Sequence, residues 1–164
     1  MNTICLTGMM GSGKTTIAKL FASRYGIVFY DVDSVIEKQE GMSISDIFQK
    51  KGESYFRLIE KNTIKSIFKN ENMIISLGGG AFENEETRQF LLNNSKVIYL
   101  QTSAQEIYNR IKNDNTRPLL CDNMSVEKIN EILQKREKNY LLAHKVIITD
   151  NKTPEQIILE LNND

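Results

Sequence analysis

Residues 8–15, with the sequence GMMGSGKT, constrain the fold of this chain more than any other feature. They match the pattern G-x-x-x-x-G-K-[S/T], a loop that turns its backbone N–H groups toward phosphate. An apolar, strand-like run at residues 4–7 comes directly before the loop, and residues 16–25 have the apolar spacing of a helix directly after it. The N-terminus of that helix would face the bound anion with its positive dipole end. This order of elements predicts an α/β domain that binds a nucleotide.

The loop residues have separate expected roles. Lys14 can reach the β- and γ-phosphates, and the Thr15 hydroxyl can bind Mg²⁺. Because Lys14 belongs to a loop, we expect its side chain to be exposed and to contribute little to packing. A chance match to the pattern is the alternative. The residues expected to bind the nucleotide phosphates are Gly11, Ser12, Gly13, Lys14, Thr15 and Thr16.

Five short runs rich in Val, Ile and Leu predict strands at residues 4–7, 27–30, 73–77, 97–100 and 146–149. Almost continuous apolar runs are typical of parallel strands that are buried on both faces. Helical segments lie between the runs, and Ser34, Ser103 and Thr153 are expected to begin three of them. The pattern predicts one α/β domain over residues 1–164, with a five-stranded parallel sheet and helices on both faces.

Two segments interrupt this alternation of strands and helices. A helical block at about residues 34–69, whose long helix starts at about Gly52, separates the second strand from the third. Residues 113–123 are mostly polar and contain Arg117 directly before Pro118. We predict a mobile lid over residues 113–123, with an ordinary surface loop as the alternative.

The overall composition excludes several classes of protein. Lys plus Arg and Asp plus Glu number 21 each, so the chain has no net charge for binding polyanions such as nucleic acid. No apolar run approaches the length of a membrane span. The single histidine excludes a histidine-based metal site, and the two cysteines lack metal-ligand spacing. The first strand follows the start too closely for a signal peptide, and the cysteines favour a reduced state, so we expect a cytoplasmic location. We also expect a monomer.

Acidic and glycine residues follow two of the predicted strands. Asp31 and Asp33 end the second strand, where one carboxylate could hold Mg²⁺ through water and the other could accept a hydroxyl proton. Alternatively, both acids only stabilise a helix N-terminus. Residues 78–80 are three glycines at the end of the third strand, which indicates either close approach of a ligand or a tight turn.

Two arginines occupy helix positions at which apolar residues are expected. Arg57 continues an apolar stripe in the helical block, and Arg136 does so in a helix at about residues 125–142. A partly buried guanidinium needs an anionic partner. That partner is either internal, such as Glu60 for Arg57, or the carboxylate or phosphate of a substrate.

Taken together, these motifs resemble the shikimate kinase family over essentially the whole chain. Each motif alone is weak, but all of them in the family's order are highly specific. They are the phosphate loop at 8–15, FYDVD at 29–33, FRLIE at 56–60, GGG at 78–80, RPLL at 117–120 and R-x-x-x-Y at 136–140.

The resemblance implies the P-loop kinase fold and phosphorylation of the shikimate 3-hydroxyl by MgATP. It implies that Lys14, Asp33 and Arg117 are catalytic, and that Thr15 and, through water, Asp31 hold Mg²⁺. Arg110 would stack on adenine, Arg117 would also contact ATP, and Glu60 would support the site. Near the other side of the base, residues 151–153 lack an arginine that many members have. The residues implied to bind shikimate are Asp33, Arg57, Gly78, Gly79, Gly80 and Arg136.

Two rival functions stay open. Another small-molecule kinase, for gluconate or a nucleotide, would share the fold and the loop but should lack Arg57, the glycine triplet and Arg136 as a set. A non-catalytic nucleotide-binding module is the second rival, and the intact Asp33 argues against it. A GTPase switch would have the motif D-x-x-G, which is absent from this sequence.

Overall fold

The computed structural model of the chain describes residues 3–68, 72–112 and 125–163. Its five strands form one parallel sheet in the order β2-β3-β1-β4-β5. Each strand lies within one residue of its predicted bounds at either end, so the predicted sheet is confirmed. The strands are β1 Thr3–Thr7, β2 Val28–Asp31, β3 Met73–Ser76, β4 Lys96–Gln101 and β5 Lys145–Ile148.

Helices connect the strands in the described ranges, and a short 3₁₀ turn, Ala81–Glu83, follows β3. None of the helices described is both long and apolar enough to cross a membrane. The helices are α1 Lys14–Tyr25, α2 Val32–Glu40, α3 Ile44–Ile67, α4 Glu85–Asn94, α5 Ala104–Ile111, α6 Val126–Tyr140 and α7 Pro154–Asn162.

The sheet is buried on both faces, which explains its almost continuous apolar strands. Cys5 and Val97 point to one side, into a core shared with α2, α3 and α4. Leu6 and Ile98 point to the other side, where they pack against α1 and α7. The carboxyl ends of β1, β2 and β3, where ligands bind in open α/β sheets, lie side by side at one edge.

One helix start differs from the sequence prediction, and one helix is kinked at the residue where a start was predicted. The side chain of Asp31, not Ser34, caps α2 by accepting a hydrogen bond from the Ser34 N–H at 3.0 Å. The prediction that Ser34 begins this helix is therefore wrong, whereas the caps at Ser103 and Thr153 are confirmed. In the helical block, α3 starts at Ile44 and is kinked at Gly52, whose φ of 82° and ψ of 167° are not helical. The long helix predicted to start at about Gly52 is the second half of α3.

Candidate active site

The phosphate loop connects β1 to the N-terminus of α1. Gly13 caps that helix with a left-handed backbone, φ 92° and ψ 8°, and no side chain caps its first N–H groups. Gly8 lies against β4, where an added Cβ would be 2.7 Å from the Leu100 carbonyl oxygen. An open helix N-terminus that follows a tightly packed glycine loop is the geometry of an anion site.

Lys14 is buried, with only 7% of the residue exposed, so the prediction of an exposed lysine is wrong. Its Nζ donates hydrogen bonds to the carbonyl oxygens of Gly8 at 2.8 Å and Met9 at 2.9 Å. The loop curls around the ammonium group, which therefore lies where phosphate oxygens would approach. Bound phosphates would replace or share these carbonyl contacts.

A cluster of oxygen donors stands beside the loop. The Thr15 hydroxyl donates to Asp31 Oδ2 at 2.6 Å and lies 3.1 Å from the Ser76 hydroxyl. Burial alone would raise the pKa of the Asp31 carboxyl, but hydrogen bonds from Thr15, Ser34 and Ser76 outweigh it and hold that pKa below its ordinary value. An ionised carboxylate with two hydroxyls suits Mg²⁺, which takes few protein ligands and keeps its other positions for phosphate and water.

Ser76 is a site residue that the sequence analysis missed. It is buried at the last position of β3, the same register level as Asp31 on β2. The pattern that could have identified it is a polar residue at the carboxyl end of an otherwise apolar strand, two residues before the glycine triplet.

A cleft of about 290 Å³ joins the phosphate loop to the acids at the end of β2. The Ser12 side chain is buried beneath the loop and does not line it. Arg57, Gly78, Gly80 and Arg136 adjoin the cleft around Gly79. Of the predicted site residues, those that line it are Gly11, Gly13, Lys14, Thr15, Thr16, Asp31, Asp33, Gly79 and Arg110.

The first glycine of the triplet makes room for two carboxylates. A Cβ added to Gly78 would lie 2.7 Å from Glu60 Oε1 and 2.9 Å from Asp33 Oδ1. Burial raises the pKa of the Glu60 carboxyl and the nearby Asp33 adds to this, although Arg57 and Arg136 oppose it. The missing side chain at Gly78 thus allows Asp33 and Glu60 to meet the backbone at the edge of the cleft.

The next two glycines bring both arginines to the same turn. A Cβ on Gly80 would lie 2.5 Å from NH2 of Arg57, and one on Gly79 would lie 3.8 Å from NH1 of Arg136. The same added Cβ on Gly79 would lie 3.3 Å from the Met10 backbone nitrogen in the phosphate loop. Gly79 therefore lies between the phosphate loop and Arg136, and Gly80 lies against Arg57.

Arg57 has the internal partner that the sequence left as an alternative. Its NH1 donates to Glu60 Oε2 at 2.8 Å, and Glu60 is only 3% exposed. Burial would lower the pKa of the Arg57 guanidinium, but Glu60 and Glu53 outweigh it and raise that pKa, so the group stays charged. The Glu60 contact uses one end of the guanidinium and leaves its Nε–NH2 edge toward Glu53, an exposed residue.

Arg136 is held by the glycine turn itself. Its NH1 donates to the Gly79 carbonyl at 3.2 Å, and the Tyr140 hydroxyl donates to the same oxygen at 2.5 Å. Tyr140 is fully buried and its ring stacks on Tyr99, with the ring centroids 4.9 Å apart. Burial raises the pKa of Tyr140 to about 12, so the phenol keeps the proton that it donates. The R-x-x-x-Y pair of α6 thus fixes one carbonyl of the turn from two sides.

Arg110 lies over the phosphate loop from α5. Its NH1 donates to the Ser12 carbonyl at 3.2 Å, and its Nε donates to Glu106 at 2.9 Å. Thr153 and Pro154 begin α7 and do not line the cleft. Arg117 and the predicted lid at residues 113–123 lie outside the described residues, so both stay predictions from the sequence.

Replacing Gly78 by alanine is expected to destabilise the protein by about 1–3 kcal/mol, the usual cost of overpacking a filled site. The added methyl group would press on the buried Glu60 carboxylate, which Arg57 holds, and on the buried Oδ1 of Asp33 in the first turn of α2. Denaturant unfolding of the two proteins would measure the difference. Wild-type stability in the alanine variant would mean that these carboxylates move aside easily.

The comparisons with known proteins agree on one family. The family model for shikimate kinase matches residues 10–164. The shikimate kinase of Sulfurihydrogenibium sp. strain YO3AOP1 is 42% identical over 98% of this chain and 96% of its own length. The shikimate kinase of Persephonella marina is 43% identical over 98% of this chain and 97% of its own length.

Solved structures of shikimate kinases also superpose closely on this chain. The Acinetobacter baumannii enzyme in complex with shikimate has a TM-score of 0.89 and 32% identity, covering 98% of this chain and 90% of the other. The Aquifex aeolicus enzyme has a TM-score of 0.83 and 33% identity, covering 98% and 93%.

Proposed function

Because this chain belongs to the shikimate kinase family, we propose that it transfers the γ-phosphoryl group of ATP to the 3-hydroxyl of shikimate. One observation supports this most directly. Asp33 lines the same cleft as Lys14 and Thr15. Gly79 in that cleft lies beside Arg136, and the next residue, Gly80, lies against Arg57. An acid, a phosphate site and a pair of cations are thereby arranged for a small hydroxylated carboxylate.

Arg57 and Arg136 bind the carboxylate of shikimate. Each is anchored through NH1, to Glu60 in one case and to the Gly79 carbonyl in the other. Anchored guanidinium groups lose little further freedom when a ligand binds, and their planar donors match a carboxylate with two parallel hydrogen bonds. The turn at Gly79 then holds the bound ring beside the phosphate loop.

Asp33 accepts the proton of the 3-hydroxyl as that oxygen attacks the γ-phosphorus, and ADP leaves with the electrons of the broken P–O bond. Lys14 and the N–H groups of the loop stabilise the phosphate charge during transfer. In phosphoryl transfer the protein mainly positions its reactants and neutralises charge. Asp33 therefore contributes less to the rate than the cations do.

The donor cluster fits the Mg²⁺ that accompanies ATP. Thr15 would hold the ion directly and Asp31 through water, with Ser76 supporting both hydroxyl and carboxylate. Such an ion would neutralise charge on the phosphates of ATP. Assignment of the adenine contact to Arg110 and of a transition-state contact to Arg117 also belongs to this proposal. So do the expected cytoplasmic location, the monomeric state and the lack of nucleic-acid or membrane partners.

A coupled assay of ADP release tests the function. With ATP and Mg²⁺, the protein is expected to release ADP when shikimate is added, and little or none with gluconate or AMP. Release with gluconate or AMP but not with shikimate would assign the site to another small-molecule kinase. No release with any of them, despite measured ATP binding, would favour a non-catalytic module.

A further inference from the structure

We propose that Glu53 is an internal competitor for the substrate carboxylate. Its own carboxylate occupies the edge of Arg57 that shikimate needs, and it has to leave when shikimate binds. The inference rests on the proposed function, because it names a residue that sets the affinity of the same carboxylate site. Glu53 acts only through Arg57, so it is a positioning residue.

The geometry of Arg57 makes the two carboxylates rivals. A guanidinium can bind a carboxylate with two parallel hydrogen bonds at its NH1–NH2 end or along its Nε–NH2 edge. NH1 donates to the buried Glu60 Oε2 at 2.8 Å, whereas the partner of the Nε–NH2 edge is the exposed Glu53. Both nitrogens of that edge donate to Glu53 Oε1, at 3.4 Å and 3.3 Å. A carboxylate that binds along this edge and Glu53 therefore require the same two donors.

Arg57 cannot avoid the conflict by swinging away. One face of its guanidinium lies against Gly80, where a Cβ would be 2.5 Å from NH2, 2.8 Å from NH1 and 2.9 Å from the central carbon. The same group lies over the Phe56 ring, 5.2 Å from its centroid. With its NH1 end on the buried Glu60, the edge that faces Glu53 has a fixed position.

The two glutamates hold Arg57 with unequal strength. The Glu60 side chain is 4% exposed and makes a short contact, whereas the Glu53 side chain is 68% exposed and uses one oxygen at longer range. Exposed ion pairs contribute little, since water and salt screen them. Glu53 is therefore the partner that gives way, and Glu60 is the one that stays as the anchor. The weak pair lowers the affinity of the site for anions without closing it.

The Glu53→Gln variant tests the proposal. It removes the competing charge while keeping the size of the side chain, so the KM for shikimate is expected to fall about two- to fivefold, the range set by an exposed ion pair. The kcat and the KM for ATP should change less than that. Glu131→Gln is the matched control, because Glu131 has a 61% exposed side chain and an i,i+3 pair with Lys128 at 3.6 Å. It should leave the shikimate KM as it is.

Direct binding separates affinity from turnover. The chain has no tryptophan, so titration calorimetry with shikimate is the suitable measurement. The neutral carboxamide of shikimate should gain less from Glu53→Gln than shikimate does, because it carries no charge to compete.

Several outcomes would overturn the inference. A higher KM for shikimate in Glu53→Gln would mean that Glu53 holds Arg57 in place for the substrate. Three other results would show that Glu53 does not compete with the substrate. They are an unchanged shikimate KM in Glu53→Gln, an equal fall of that KM in Glu131→Gln, and an equal gain in affinity for the carboxamide. Failure of the wild-type protein to turn over shikimate at all would instead reject the proposed function, so the two failures can be told apart.

Discussion

Replacing Lys14 by alanine is expected to lower kcat by about 10²–10³-fold or more, the loss found when a donor that stabilises transition-state charge is removed. The ammonium is the positive charge that lies inside the phosphate loop, on the Gly8 and Met9 carbonyls. Without it, the negative charge that builds on the transferring group would face those carbonyl oxygens. Steady-state kinetics with saturating ATP and shikimate would measure the change.

Because Lys14 is buried, this variant also needs a test of folding. Removing the ammonium takes one donor from the Gly8 carbonyl, whereas the Met9 carbonyl keeps a hydrogen bond from the Ser12 N–H. The loss should lower stability, by about 1–3 kcal/mol for a buried polar group. Lys14→Met keeps most of the side-chain volume, and Lys19→Ala on the exposed side of α1 controls for the loss of a lysine. A near-normal kcat in Lys14→Met would contradict the phosphate role, whereas a folded and inactive Lys14→Met would support it.

Arg136→Ala is expected to weaken shikimate binding by about 2–5 kcal/mol, the range for removing one partner of a desolvated charge pair. The shikimate KM should therefore rise by about 30-fold or more, while the KM for ATP changes little. Arg57→Ala should likewise raise the KM for shikimate and leave the KM for ATP almost unchanged. Arg57→Lys should also bind shikimate poorly, because an ammonium cannot form two parallel hydrogen bonds with a carboxylate. Initial rates measured against each substrate in turn would show it.

The two arginines differ in how cleanly they can be tested. Arg57→Ala leaves the buried Glu60 without its ion-pair partner, so a loss of stability is expected beside the loss of binding. Arg136 donates to the Gly79 carbonyl, which keeps its hydrogen bond from Tyr140 when Arg136 is removed. The melting temperature of the Arg136→Ala variant should therefore stay near that of the wild type. A normal shikimate KM with a much lower melting temperature would make Arg136 a structural residue.

Much of the fold was predictable because its determinants are local in the sequence. Continuous Val, Ile and Leu runs located each strand to within one residue at either end, since parallel strands buried on both faces leave no polar alternation to confuse the pattern. The phosphate loop fixed the order of strand, loop and helix at the start of the chain. The N-caps at Ser103 and Thr153 followed from their own residue types and spacing.

The errors concern contacts that depend on three-dimensional packing. Asp31 and Ser34 are equally good cap residues, and only the path of the chain from β2 into α2 decides that Asp31 is the cap. A loop lysine is usually exposed, but the curl of residues 8–13 encloses Lys14. Ser76 became a site residue because β3 is the neighbour of β2 in the sheet, a pairing that no local pattern specifies. For Arg57, the sequence offered either Glu60 or a ligand, whereas the structure allows both at different edges of one group.

The glycine triplet has a consequence for inhibitors of this enzyme. None of its three glycines is among those with a left-handed backbone, so what these positions require is the absence of a side chain. Asp33 and Glu60 already occupy the space at the first and Arg57 occupies it at the third, whereas a side chain at the second would press against the phosphate loop. A compound that rests on this stretch of backbone would contact a surface that point mutation cannot reshape without displacing groups to which the proposed mechanism gives a role. Resistance to such a compound would have to arise at other positions.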